Sequence, residues 1–176
     1  REFAQAVSGG RVQELAKRNP REWRVGVPRS YPWGDVTPSA AKAMQHAVER
    51  LRASGAQVVE LDLPKWAADC FTAHDAVQGW EAARTLAKEF DSHRDDLSPL
   101  LRDYLADART ITDAAYAQAQ ATARRARLAA NAWIDGVDVL LTPSAPDEAP
   151  QGFASTGAST FNRAWTLLAT PCVSVP

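Results

Sequence analysis

The sequence predicts an α/β fold, a mixed or mostly parallel sheet of about four strands covered by helices. Short β-branched stretches alternate with helical periodicity near both ends of the chain, in the order that makes strand, helix and strand neighbours. Between those ends, from about residue 66 to 136, the chain is alanine-rich and helical in character. The 176 residues suffice for one domain, or most of one, with a core of its own.

Taken in order, residues 2 to 18 allow an amphipathic helix through Phe3, Val7 and Leu15, interrupted at Gly9-Gly10. Arg24-Val-Gly-Val27 reads as a strand that Pro28 ends, and Ser30 to Pro38 reads as a loop. Thr37 before Pro38 is a cap followed by an N1 proline. Ala41, Met44, Val48 and Leu51 then recur at helical spacing, and Gly55 stands where a helix-ending glycine belongs. Gln57-Val-Val-Glu-Leu61 is the next strand, stopped by Pro64. A strand, a helix and a strand joined this tightly make parallel neighbours.

The helical middle divides into three. One helix carries Ala73, Val77, Trp80, Ala83, Ala87 and Phe90 on a single stripe, and a short one runs through Leu97, Leu100, Leu101, Tyr104 and Leu105. A third spans roughly Ile111 to Ile134, with Ile111, Ala115, Leu128 and Ala132 as its apolar positions and Trp133 near its end. These helices are expected as a layer on the sheet. Val137-Asp-Val-Leu-Leu141 follows as a strand buried on both faces. A Pro-, Gly- and Ser-rich loop from Ser144 to Thr160, a helix from Phe161 to Leu168 and a strand from Cys172 to Val175 close the chain.

Composition narrows the function. Hydrophobic residues make up 45% and charged residues 23%, as in ordinary globular proteins, and the formal net charge is -1. That balance points away from nucleic acid and anionic membrane. Arg124, Arg125 and Arg127 read as a solvated helix face. Cys70 and Cys172 lie outside any CxxC spacing and are expected as two buried free thiols in a reducing cytoplasm. No apolar run approaches the ~18 residues of a membrane span, and no signal-peptide pattern opens the chain. The sequence starts without Met and stops on what reads as an unanchored strand, so a piece of a longer protein is expected.

No catalytic constellation emerges from the residues alone. His46, His74 and His93 lack metal-ligand spacing, and His74-Asp75, being adjacent on a helix, point apart and read as a surface pair. There is no GxSxG elbow or GxGxxG loop, and Ser8-Gly9-Gly10 lacks the context of a phosphate loop. Ser144, Ser155 and Ser159 read as turn formers. Glu89, Asp91, Asp95 and Asp96 read as helix-end charges. No metal and no organic cofactor is implied. What stands out is the run from Val137 to Pro176, since loops leaving parallel strands are where such sheets place ligands. Phe161 and Trp165, four apart, share a helix face and serve either as core or as the apolar walls of a pocket.

The same run is recognisable. Val137-Asp-Val-Leu-Leu-Thr-Pro143 with Ser-Ala-Pro146 and Ala-Pro150, then Thr156-Gly157, Phe161-Asn162, Trp165-Thr-Leu-Leu168 and Pro171 to Pro176, resembles the C-terminal, substrate-side part of the amidase signature family. Arg24-Val-Gly-Val-Pro28, Gly55-Ala56 with Leu61-Asp-Leu-Pro64, Glu81-Ala-Ala-Arg84 and Tyr116-Ala-Gln-Ala119 resemble it in order and spacing. One departure is Ala169-Thr170, where the family often has Gly and a small residue.

The resemblance implies hydrolysis of a small-molecule amide by a Ser, cis-Ser, Lys triad, with backbone N–H groups holding the oxyanion. The family's Gly/Ser-rich signature lies N-terminal to everything here, so no catalytic residue carries over. The resemblance implies a pocket bordered by the Thr142 to Thr160 loop and by Phe161, Asn162, Trp165 and Thr166, with Arg102 lining its entrance. Asn162 is open to two roles, bonding substrate or capping its own helix. The implied partners are the remainder of the amidase domain or a second copy of the chain, and 1–176 reads as a single α/β piece of that domain. A stand-alone, non-catalytic assembly domain is the competing reading.

Overall fold

The structure, a computed structural model, describes residues 19–153 and 155–175, so the helix expected over residues 2 to 18 lies outside the described residues. A three-residue 3-10 turn, Pro20–Glu22, leads into β1 (Arg24–Pro28). β1 is the middle strand of a parallel sheet, with β2 (Gln57–Leu61) on one side and β3 (Val139–Leu140) on the other. Gly26 is required there. A Cβ on it would meet Leu61 Cδ1 at 2.6 Å and Leu140 Cδ2 at 2.8 Å, because both flanking strands fold a leucine over the central one.

Among the described residues the sheet has three strands rather than about four. Cys172 to Val175 is exposed chain and not a strand, because no neighbour pairs with it. The stretch Val137 to Leu141 contracts to two paired residues. It is not buried on both faces either, since Val139 is 41% exposed.

Between β1 and β2 runs α1 (Pro38–Ala53). Thr37 caps it by accepting from the Ala40 amide, and Pro38 fills N1, as the sequence predicts. Its far end closes in a Schellman turn. The Gly55 amide donates to Arg52 O and the Ala56 amide to Leu51 O, with Gly55 at φ +94°.

The helical layer is built around α2 (Lys65–Thr85), which packs against α4 (Pro99–Ala108) and α5 (Asp113–Ile134). The long stripe expected to reach Phe90 breaks at Leu86 (φ −99°, ψ 20°), and α3 (Ala87–Ser92) resumes it. On α5 the buried positions are Ala119, Ala123, Ala126 and Ala130, not Ala115, Leu128 or Ala132, and Leu128 is 74% exposed. The spacing of four, three and four keeps those alanines on one face. Side chains that small let α5 lie close on Cys70 and Ala73 of α2.

Trp80 of α2 stacks on Tyr116 of α5 with ring centroids 3.9 Å apart, and its indole Nε1 donates to Asp113. The Arg84 guanidinium lies over the other face of Trp80, 3.4 Å from the centroid. The sheet joins this core through Leu140, which packs against the same cluster.

Three surface expectations shift. Arg127 is not on a solvated face but part-buried against a backbone carbonyl. Cys70 is buried while Cys172 is exposed. His74 is largely buried, its Nδ1 without a hydrogen bond but 3.9 Å from Asp75, and Asp75 also pairs with Arg163 at 2.9 Å. The acidic residues contact neighbouring side chains. Asp91 holds Arg109 at 2.7 Å, and Asp96 lies 3.6 Å from His93.

Candidate functional site

The candidate site forms where α6 (Arg163–Leu167) meets the loop leaving β3. Five residues are too few for a stable helix in isolation, so tertiary contacts must hold it. At its start the Asn162 side chain does not cap its own helix. Its Nδ2 donates to the Ser144 carbonyl at 3.0 Å, which ties the loop after β3 to the helix. At its end the Arg127 guanidinium from α5 donates twice to Leu167 O, at 3.0 and 2.8 Å. That bond satisfies a carbonyl that a helix end would leave free. On a third side Arg163 pairs with Asp75 of α2.

The chain then leaves through a second Schellman turn. The Ala169 amide donates to Thr166 O and the Thr170 amide to Trp165 O, with Ala169 at φ +56°.

This anchoring aims two aromatic side chains inward. Phe161 is 1% exposed and meets Tyr31 edge-on, with centroids 5.0 Å apart. Trp165 is 4% exposed and meets Trp33 at 6.1 Å, and Trp33 in turn stacks on Phe71 at 5.6 Å. Four buried polar atoms of this neighbourhood, Tyr31 Oη, Trp33 Nε1, His74 Nδ1 and Trp165 Nε1, lack hydrogen-bond partners. Burial with no compensating contact pushes the Tyr31 phenol far above its ordinary value.

Beside Trp165 lies a groove of about 810 Å³. One wall is α1, through Ala40, Ala43, Met44 and Ala47. The other is β3 with the chain to either side of it, and residues 170 to 175 lie along the groove as well. The loop after β3 is pinned over the start of α1. Thr37 N donates to Pro146 O at 2.9 Å, while the Thr37 and Ser39 hydroxyls reach Asp147 at 2.9 and 3.1 Å. The Glu148 amide and those two hydroxyls hold the Asp147 carboxyl below its ordinary pKa.

Of the five residues that the resemblance implies for a pocket, the groove brings in Trp165. Phe161 sits beneath it in the aromatic cluster, Asn162 and Thr166 are exposed and engaged with backbone, and Arg102 sits on α4 with Asp95 at 3.9 Å. Of the loop serines, Ser144 lines the groove, while Ser155 and Ser159 keep to local bonds, Ser155 accepting from the Gly157 amide and Ser159 from Arg163 Nε. Sequence reasoning missed Tyr31, Trp33, Phe71 and the α1 wall. The aromatics of Tyr31-Pro-Trp-Gly34 within a loop were the available signal.

Among the described residues no group of three His, Cys, Asp or Glu lies close enough to hold a metal ion, and no helix is long and apolar enough to cross a membrane.

Comparison with known proteins matches residues 3–176 to the amidase family. The chain is similar to a 2-amino-5-chloromuconic acid deaminase of Comamonas testosteroni, at 38% identity over 133 residues. That match covers 73% of this chain and 28% of the relative. Among solved structures it resembles one described as an amidase, with a TM-score of 0.82 and 26% identity, over 99% of this chain and 43% of that one. A fatty acid amide hydrolase shares the fold at a TM-score of 0.74 and 19% identity, over 89% of this chain and 28% of that one. The chain therefore spans under half the length of each protein it matches here.

Proposed function

The chain belongs to the amidase family, and we propose that it is the substrate-side portion of a hydrolase that cleaves carboxylic amide C–N bonds. One α/β piece of a larger amidase domain is the organisation we propose for 1–176. The serine nucleophile and its lysine base then come from polypeptide outside these residues. The observation that carries this reading is the match to the family along essentially the whole chain.

In this reading α6 and the Thr142 to Thr160 loop border the substrate. Trp165 is the apolar wall, Phe161 backs it through Trp33, and Asn162 sets the loop position through Ser144. The substrate is a small amide, and the cytoplasm, which suits two unpaired thiols, is the compartment we propose.

The test is hydrolysis of an aromatic amide. The purified 176-residue chain is expected to show no turnover. Activity is expected when it is co-expressed with the part of the Comamonas testosteroni relative that it does not cover. Turnover by the 176 residues alone would overturn the placement of the nucleophile, and a combination that stays inactive counts against the hydrolase reading.

A further inference from the structure

We propose that the aromatic cluster around Trp33 binds a carboxylate that the substrate carries apart from its amide, through Tyr31, Trp33, His74 and Trp165; this rests on the function proposed above. Among the described residues four buried side-chain polar atoms lack a hydrogen-bond partner, and all four belong here: Tyr31 Oη, Trp33 Nε1, His74 Nδ1 and Trp165 Nε1. Trp33 packs on Tyr31, Phe71 and Trp165, and His74 stands one turn beyond Phe71 on α2. The chain satisfies such groups elsewhere, even nearer its surface. In the stacked pair of Trp80 and Tyr116 the indole donates to Asp113 and the phenol to Glu81. A buried polar group left unpaired is costly, so four gathered in one cluster mark a place where a ligand supplies the partners.

The chemistry of the four selects the ligand. An indole N–H donates and cannot accept. Burial keeps the Tyr31 phenol protonated, so it too has a proton to give. A neutral imidazole with its proton on Nδ1 is a fourth donor. A carboxylate answers such a set, since it accepts at both oxygens and donates nothing. A carboxamide brings N–H bonds as well, and the carboxylate nearest the cluster, Asp75, is already held by Arg163 at 2.9 Å. That pairing also cancels the nearest charges, with the Arg163 guanidinium 5.4 Å from the Phe71 ring, so hydrogen bonds and not net charge hold the anion. The location suits a ligand. Tyr31 and Trp33 lie in the loop leaving the C-terminal end of β1, and Asn162 ties the start of α6 to the loop leaving β3. Trp165 belongs to the groove wall as well as to the cluster, which gives the cluster an opening.

The test titrates the isotope-labelled 176-residue chain with benzoate and follows the indole N–H signals of its six tryptophans by NMR. Two signals are expected to move downfield, those that Trp33→Phe and Trp165→Phe remove. Tyr31→Phe deletes one hydroxyl and keeps the ring, so it serves even where a tryptophan variant fails to fold. It is expected to weaken benzoate about tenfold, the worth of a hydrogen bond to a charged group. Benzamide is expected to bind about tenfold more weakly than benzoate. Bound benzoate is expected to raise the His74 pKa, which benzamide leaves in place. In the co-expressed enzyme, terephthalamate, a benzamide with a second, ionised carboxyl group, is expected to exceed benzamide in kcat/KM about tenfold, and Tyr31→Phe to remove the difference.

Indole signals that benzoate leaves unmoved overturn the site, and equal binding of benzamide overturns the carboxylate. Failure of this inference is separable from failure of the proposed function. If co-expression restores hydrolysis and terephthalamate and benzamide react equally, the function stands and the carboxylate is not the substrate's, even where benzoate, a product of the reaction, binds. If benzoate binds as expected and no combination hydrolyses an amide, the carboxylate site stands and the hydrolase reading falls.

Discussion

Ala169→Gly is expected to stabilise the protein. Two helices of this chain end in the same hydrogen-bonded Schellman turn, and both turns need a residue with positive φ. After α1 that residue is Gly55 at φ +94°, and after α6 it is Ala169 at φ +56°. An L-residue other than glycine pays about 1–2 kcal/mol in the left-handed region. Glycine gives back about 0.4–1 kcal/mol through the greater freedom of the unfolded chain. Ala169 is exposed, so losing its methyl opens no cavity. The net gain is about 1 kcal/mol, which for a chain of this length raises Tm by about 2–4 °C.

Thermal unfolding followed by far-UV circular dichroism measures it. Gly55→Ala is the converse control and is expected to lower Tm, since its backbone is strained for alanine and a Cβ there meets Arg21 Cγ at 2.6 Å. An unchanged or lower Tm for Ala169→Gly refutes the backbone argument, and with it the reading of the departure at Ala169 as a strained position.

Phe161→Ala removes a ring that is 1% exposed, and the cavity is expected to cost about 3–5 kcal/mol. That lowers Tm by about 6–20 °C in the same assay; a fall under 2 °C shows that the cluster around Tyr31 and Trp33 closes over the gap. In the native protein at pH 8, iodoacetamide is expected to alkylate Cys172 and spare Cys70, whose thiol burial pushes up to about 11. Mass spectrometry of tryptic peptides reads the two sites, and modification of both under native conditions contradicts the burial of Cys70.

Acid is expected to destabilise the fold through His74, whose pKa burial lowers while Asp75 partly opposes the shift. The unfolded chain then binds the extra proton first. The stability His74 contributes is complete above the ordinary histidine pKa near 6.5 and is lost as pH falls below it. Urea unfolding across that window should show a slope that His74→Gln flattens.

Legibility in the sequence followed the range of the interaction. Thr37-Pro38 and Gly55 act within a turn of themselves, and the helix ends they mark are where the residues predict, whereas the starts at Pro99 and Asp113, capped by Ser98 and Thr112, fall two residues after the stretches expected from Leu97 and Ile111. The parallel pairing of β1 with β2 followed from the short crossover between them. The buried face of α5 was not legible by hydrophobicity. Leu128 outranks any alanine, yet the face is chosen by how closely α2 must approach, and that favours Ala119, Ala123, Ala126 and Ala130. Arg127 was misjudged for a similar reason, because its partner Leu167 lies 40 residues on. Tyr31 and Trp33 belong to a cluster whose other members come from α2 and the start of α6, so no local pattern announces them.

The two sides of the groove are stabilised in different ways. α1 carries its own cap, its own proline and its own glycine turn, and sixteen residues of helical periodicity. β3 is two residues long and α6 is five, lengths at which neither sheet pairing nor helix propagation stands alone. They persist because other elements complete them. β1 supplies β3's ladder, Arg127 and Asp75 fix α6, and Asn162 holds the loop between them. The groove therefore has a firm wall at α1 and a conditional one at β3 and α6. The conditional side is also where Trp165 stands, so the side chain proposed to face the substrate is held in place by contacts remote in sequence.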